Sequence, residues 1–236
     1  MQAKAGGVLV VQGETGQTDL FGLERSGAGN ARQLAEGAWL LEGFARARSD
    51  VLLADLRRIE TAAPFRHMVT PGGAIMSVAM THCGQLGWVS DRHGYRYATN
   101  DPETGKSWPS MPEAFLALAK EAAAAAGFAA FVPDSCLINR YAPGTRLSLH
   151  QDKDEQDLAQ PIVSVSLGLP AVFLFGGFSR AERAQRVPLF HGDVVVWGGP
   201  SRLRFHGVLP VAEGLHPSLG ACRVNLTFRK AGLVAT

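Results

Sequence analysis

The chain has 236 residues, 46% hydrophobic and 19% charged, with a formal net charge of +2. That length supports one full core, the composition is that of a folded globular protein, and the charge is too small to mark a nucleic-acid binder by itself. Three widely spaced cysteines (Cys83, Cys136, Cys222) with no Cys-x-x-Cys pair argue against a disulfide framework and a zinc ribbon. No apolar stretch approaches the length of a membrane span, and Val8-Leu-Val-Val11 is too short for a signal-peptide core. A cytoplasmic protein with no membrane partner is expected.

Residues 1 to about 37 are rich in Gly, Ala, Gln and Thr, which predicts a largely mobile segment. Ser49 can cap a helix whose Leu52, Leu53, Leu56 and Ile59 form an apolar stripe. Residues 64–109 carry many turn residues beside Met, His, Trp and Tyr, a pattern of hairpins and loops rather than packed core. Ser110-Met-Pro-Glu113 has the form of a capping box, starting a helix through Phe115, Leu118 and an alanine run that Gly127 stops. From Cys136 onward, short strands separated by Gly and Pro predict a β sandwich or jelly roll.

That last region holds the chemistry. His150 and Asp152 stand two apart, so on an extended strand both side chains point one way while Gln151 faces the other. His206, 54 residues after Asp152, supplies a second imidazole. Two imidazoles and a carboxylate hold Fe(II) on one triangular face and leave three positions open for oxygen and a co-substrate. A His-x-Asp alone is a weak signal; a second one, His191-Gly192-Asp193, reads better as a tight turn entering the strand Val194-Val-Val-Trp197. A calcium loop over Asp152, Asp154 and Asp157 fails, because the acidic frame is broken and position twelve is Val163.

The C-terminal run Arg223-Val-Asn-Leu-Thr-Phe-Arg229 alternates strictly, with Arg223, Asn225, Thr227 and Arg229 on one strand face. A solvent-facing polar side is the plain reading. Beside an iron site, two planar guanidinium forks instead suggest a dicarboxylate held at both ends, and 2-oxoglutarate is such a molecule.

Together with Asn139-Arg-Tyr141-Ala-Pro-Gly144, Leu147-Ser-Leu-His150-Gln-Asp152-Lys-Asp154-Glu155, Pro161-Ile-Val-Ser-Val-Ser-Leu-Gly168 and Pro64-Phe-Arg-His-Met-Val-Thr-Pro-Gly-Gly73, these motifs resemble the AlkB family of iron- and 2-oxoglutarate-dependent dealkylases, near its bacterial members. The resemblance covers about residues 19–232. It implies an α+β, mainly β fold: a double-stranded β-helix (jelly-roll) core over about 135–230, N-terminal flanking helices, and a nucleotide-recognition lid of hairpins over about 64–109. Residues 19–236 would be one dioxygenase domain, with 1–18 a disordered extension.

It further implies Fe(II) on His150, Asp152 and His206, with O2 and 2-oxoglutarate as co-substrates. Leu137, Asn139, Tyr141, Arg223, Asn225 and Arg229 would bind the latter. Arg229 would grip its distal carboxylate with help from Tyr141, and Arg223 and Asn225 would lie near the keto-acid end. Trp88 would stack on an extruded base and Asp154 would meet its exocyclic amino group, a carboxylate suited to a cationic N-alkylated base. Tyr95, Met76, Met80 and Thr70 are carried over as pocket or backbone contacts, and Arg66, His67, Lys153 and Arg180 as partners for phosphates. The implied reaction is demethylation of 1-methyladenine and 3-methylcytosine in single-stranded DNA, with RNA or duplex DNA as further substrates, by a monomer. The residues alone leave two alternatives: an oxygenase of the same scaffold acting on a protein or small molecule, and a non-catalytic binding module.

Overall fold

The computed structural model describes residues 29–232, so the extension expected over 1–18 lies outside the described residues. In chain order come strands β1 (Ala31–Ala35) and β2 (Ala38–Leu41), helix α1 (Ser49–Ala62), strands β3 (Arg66–Val69), β4 (Ile75–Gly84), β5 (Gly87–Asp91) and β6 (Gly94–Ala98), and helix α2 (Glu113–Ala125). The remaining strands are β7 (Ser135–Tyr141), β8 (Leu147–His150), β9 (Ile162–Gly168), β10 (Ala171–Phe175), β11 (Gln185–Leu189), β12 (Val194–Trp197), β13 (His206–Val208) and β14 (Arg223–Arg229). The segment expected to be mobile up to residue 37 is corrected at its end, where β1 pairs with β2.

Among the described residues the strands form three antiparallel sheets. A large one has the order β1-β2-β12-β9-β14-β7-β4-β3, a second β11-β10-β13-β8, and β5-β6 stand as a hairpin of their own. The two helices cover one face of the large sheet, where Leu52, Leu56, Phe115 and Leu118 pack against Val163, Val165, Leu226 and Phe228. Each such side chain removed from water contributes ~1.5–3 kcal/mol. The second sheet lies across the opposite face, with Phe173, Phe175 and Val208 against Leu137, Tyr141 and Trp197.

This layering decides what the alternation in β14 means. All seven of its residues are buried, so its polar face is no solvent face. Val224, Leu226 and Phe228 enter the helix-covered core, whereas Arg223, Asn225, Thr227 and Arg229 are buried within the fold.

Three local expectations are corrected. Ser49 lies inside α1, and its hydroxyl donates to the Arg46 carbonyl (2.9 Å) rather than capping. Ser110 makes no cap either, because α2 begins only at Glu113, after an extended Pro112; a proline disfavours helical backbone in the residue before it. In the stretch 64–109, six consecutive residues of β4 are buried in the large sheet, so this part is core as well as hairpin. Gly127, at φ +92°, does end α2.

Candidate metal centre and co-substrate cavity

Register brings the three candidate ligands together. His150 ends β8 and His206 opens β13, and the two are paired directly across these strands. Asp152 follows just beyond β8. Its carboxylate oxygens lie 3.6 Å from Nε2 of His150 and 3.6 Å from Nε2 of His206. All three ligand atoms fall within 4.8 Å of one another, the only such His, Cys, Asp or Glu group among the described residues.

The imidazoles are oriented from behind. Nδ1 of His150 lies 2.8 Å from the Ser148 carbonyl, and Nδ1 of His206 lies 3.1 Å from that of Arg204. A proton on each Nδ1 satisfies these carbonyls and leaves both Nε2 lone pairs facing Asp152, the tautomer a metal needs. Burial, with the neighbouring His206, pushes His150 down to about 4, so it is neutral at ordinary pH. Burial alone would raise Asp152, but the Arg229 charge and then His206 hold it well below the usual carboxylate range.

The two arginines of β14 have different surroundings. Arg229 is spent on Asp152, donating from Nε (2.9 Å) and Nη2 (2.6 Å) to one carboxylate oxygen, with Glu155 at 3.4 Å. Arg223, fully buried, donates from Nη2 to Ser166 (3.0 Å) and stacks on the Tyr141 ring at 4.9 Å. Its Nε and Nη1 have no hydrogen-bond partner, nor does Oδ1 of Asn139. Buried donors left unmade each cost ~1–3 kcal/mol, a cost that an acceptor bound beside them would relieve. Asn225 is already occupied, donating to Ser164 (2.8 Å) and the Val165 carbonyl (2.9 Å) and accepting from Thr227 (2.8 Å).

A cavity of about 570 Å³ joins these groups to the remaining candidates, for Thr70, Met76, Met80, Trp88, Tyr95, Leu137, Asn139, Tyr141, Lys153, Asp154 and Arg180 all line it. Trp88, on the β5-β6 hairpin, donates its indole N–H to Asp154 (2.8 Å) and stacks on Tyr95 at 5.5 Å and 12°. Arg66 does not join them. Asp101 holds its guanidinium through two hydrogen bonds (2.6 and 2.7 Å) and Trp108 lies 5.7 Å away, so it is no free phosphate partner. His67 is exposed, its Nδ1 2.8 Å from the Met76 carbonyl. The second His-x-Asp is a turn, as expected: Gly192 has φ +87°, and Asp193 accepts the N–H groups of Gly43 and Phe190.

Sequence reasoning missed the buried group behind the ligands. Glu155 accepts from the Tyr97 hydroxyl (2.6 Å) and from Arg202 (3.0 Å), and Arg202 also donates to the Asp152 carbonyl (2.7 Å). The available signal was faint: a third acid in the run after Asp152, and an arginine amid glycine, proline and serine.

Comparison with known proteins agrees with this geometry. Residues 37–229 match the model of the 2OG-Fe(II) oxygenase superfamily. The chain is 60% identical over 198 residues to the alpha-ketoglutarate-dependent dioxygenase AlkB of Salmonella typhimurium, an alignment covering 84% of this chain and 92% of that one. It is 44% identical over 108 residues, 41% of this chain and 24% of the other, to the DNA N(6)-methyladenine demethylase ALKBH1D of Arabidopsis thaliana. The solved structure of OsALKBH1 superposes with a TM-score of 0.74 at 31% identity, over 85% of this chain and all of that one.

Proposed function

Because this chain belongs to the AlkB family within the 2OG-Fe(II) oxygenase superfamily, we propose a division of labour among its residues for oxidative demethylation of nucleic acid. The protein is an Fe(II)- and 2-oxoglutarate-dependent dioxygenase acting on alkylated nucleic acid. Fe(II), O2 and 2-oxoglutarate supply the oxidising power when bound, yielding succinate and CO2 and releasing an N-methyl group as formaldehyde. The observation that carries the reading is the His150–Asp152–His206 group sharing one cavity with the unpartnered atoms of Arg223.

His150, Asp152 and His206 are the residues that would hold the metal. The donor set fits: two imidazoles turned by backbone carbonyls at Nδ1 so that Nε2 faces the carboxylate, and one ionised carboxylate whose direction Arg229 fixes. Arg223 is then the better partner for the distal carboxylate of 2-oxoglutarate, with the Tyr141 ring beneath it, because Arg229 is already engaged beside the metal position. This reverses the roles expected from the sequence, where Arg229 was to reach the far end. Asn139 and Leu137 line the same cavity, and Asn225 is held by Ser164 and the Val165 carbonyl.

We read residues 64–109 as a nucleotide-recognition lid and 135–230 as a double-stranded β-helix core. The support is a hairpin bearing Trp88 and Tyr95 over a cavity bounded by two facing sheets. Trp88 is the flat surface for an extruded base. Asp154, fixed by the Trp88 indole, turns a carboxylate toward it and favours cationic bases such as 1-methyladenine and 3-methylcytosine. Single-stranded DNA is the preferred substrate, since extrusion costs least there, with RNA and duplex DNA as lesser ones. Thr70, Tyr95 and Arg180 are the outer contacts, and Met80, buried, is part of the cavity wall. The protein works as a cytoplasmic monomer in repair of alkylated DNA.

Formaldehyde release from a single-stranded oligonucleotide carrying one 3-methylcytosine, with Fe(II), 2-oxoglutarate and oxygen, tests this reading. Wild type should turn over and His150→Ala should not. Succinate formed with the base still methylated would refute the substrate; silence from metal-loaded wild type would refute the enzyme.

A further inference from the structure

The connection from β10 to β11 reaches the cavity through Arg180, two residues after Phe178. Phe175, the last residue of β10, pairs with His206, so this loop begins one step from a candidate metal ligand. Glu182 folds it back: one carboxylate oxygen accepts the N–H groups of Phe178 (3.0 Å) and Ser179 (2.7 Å). Any side chain at Gly177 would fall on that carboxylate. Glu182 thus ties the turn of the loop, and Phe178 next to it is 55% exposed.

The surroundings of this ring are basic. The Arg204 guanidinium lies 4.9 Å from its centroid and is tied to the Gly176 carbonyl (2.9 Å) and the Ser201 hydroxyl (3.1 Å). Arg180 lies 5.5 Å from the Phe205 ring and lines the cavity. Arg183 later in the connection and Arg186 in β11 are exposed, while Glu182 has its charge turned inward on the loop's own N–H groups. An exposed ring on a tied loop, backed and flanked by cations, is complementary to a base on a phosphate chain.

Resting on the reading of this protein as a nucleic-acid demethylase, in which Arg180 is already a phosphate partner, we propose that Phe178 is a stacking platform for the nucleotide adjoining the extruded base. Extrusion strips the neighbouring base of its stacking partner, and an aromatic ring fixed beside the cavity replaces it. Every base has a flat face, so the platform accepts any neighbour and does not read sequence. Its effect is to favour a strand over a free methylated nucleotide.

The test compares wild type, Phe178→Ala and Phe178→Trp on short single strands carrying one 3-methylcytosine. One strand has normal neighbours, one an abasic 5′ neighbour, and one an abasic 3′ neighbour; the methylated nucleoside monophosphate is a fourth substrate. Phe178→Ala should raise KM about ten-fold on the intact strand with kcat unchanged, the loss carried by one base–aromatic stack. That loss should vanish on one abasic strand and on the monophosphate, and Phe178→Trp should restore the wild-type KM. Equal KM for wild type and Phe178→Ala on the intact strand overturns the platform while leaving the demethylase reading in place. So does an equal loss on both abasic strands, which would mean the ring acts through its loop. Absence of turnover by wild type on all four substrates would overturn the demethylase reading and the platform together.

Discussion

Arg223 and Arg229 share one face of one strand, and only their neighbours tell them apart. Removing Arg223 takes away the buried cation whose Nε and Nη1 have no protein partner; hydrogen bonds to charged groups are worth ~1.5–3 kcal/mol. Arg223→Leu should therefore raise the KM for 2-oxoglutarate by about 10- to 100-fold and leave Mn(II) affinity nearly unchanged, both readable by titration. Arg229→Leu should show the opposite emphasis, because it frees the Asp152 carboxylate from the two bonds that aim it. Its Mn(II) affinity should fall about ten-fold or more, the scale found for partners that orient metal ligands. If Arg229→Leu lost only 2-oxoglutarate binding, the assignment above would be reversed. The sequence carried both arginines and their common face. It could not carry the difference, which depends on Asp152 arriving from β8, 77 positions away in the chain.

At the scale of elements, β4 holds an anomaly. His82 is fully buried, both ring nitrogens are without a hydrogen-bond partner, and the Trp108 ring is 4.8 Å away. Burial first, then the charges of Arg66 and Arg229, with Asp101 opposing, push its pKa down to about 3. The folded pKa lies below the unfolded value of 6.5, so between these limits the unfolded chain binds the extra proton and stability falls as pH falls. At pH 5 this amounts to about 2 kcal/mol relative to neutral pH, at ~1.4 kcal/mol per unit. His82→Leu should be at least as stable as wild type at pH 7 and gain on it steadily towards pH 5, as followed by denaturant midpoints. Parallel curves would show that His82 is protonated or solvated in the folded state. The β5-β6 hairpin, in turn, is fastened by consecutive acids, Trp88 to Asp154 and Tyr97 to Glu155. Tyr97→Phe should speed amide exchange in the hairpin about ten-fold and leave α1 unaffected, since one charge-assisted bond is lost and the helix-side core is untouched. Alternation and turn residues announced such hairpins in the sequence. The burial of β4 was hidden, because its Met-Ser-Val-Ala-Met-Thr-His-Cys run has no clean period and takes its place only when β7 pairs with it.

For the whole molecule, the two-layer arrangement separates stability from the metal. The helix-covered core of Leu52, Phe115, Leu226 and Phe228 lies on the face of β14 away from the ligands, and its pattern of apolar residues was legible in the sequence from the helical stripe and the strand alternation. The pairing order of the large sheet was not legible, since β2 joins β12 across more than 150 residues with no local signal. In the cavity, the charges that a metal would otherwise have to balance are already compensated: Asp152 by Arg229 at 2.6 Å, and Glu155 by Arg202 at 3.0 Å. The protein should consequently keep its fold when metal is stripped. Circular dichroism after chelation should match that of the loaded form, unlike small metal-folded domains that lose structure with the ion. Restoring Mn(II) together with 2-oxoglutarate, each at about 100 times its Kd, adds about 2.7 kcal/mol per bound ligand. At ~2–4 °C per kcal/mol for a domain of this size, Tm should rise by about 10–20 °C if the two contributions add. Arg223→Leu, with 2-oxoglutarate bound about 10- to 100-fold more weakly, should keep the metal share and lose about half or more of the 2-oxoglutarate share at the same concentrations, so the two increments can be read separately in one thermal series. Unfolding on chelation would mean that the His150–Asp152–His206 group is a folding site rather than a preformed one, and the compensation of Asp152 by Arg229 would then be too weak to hold the cavity open.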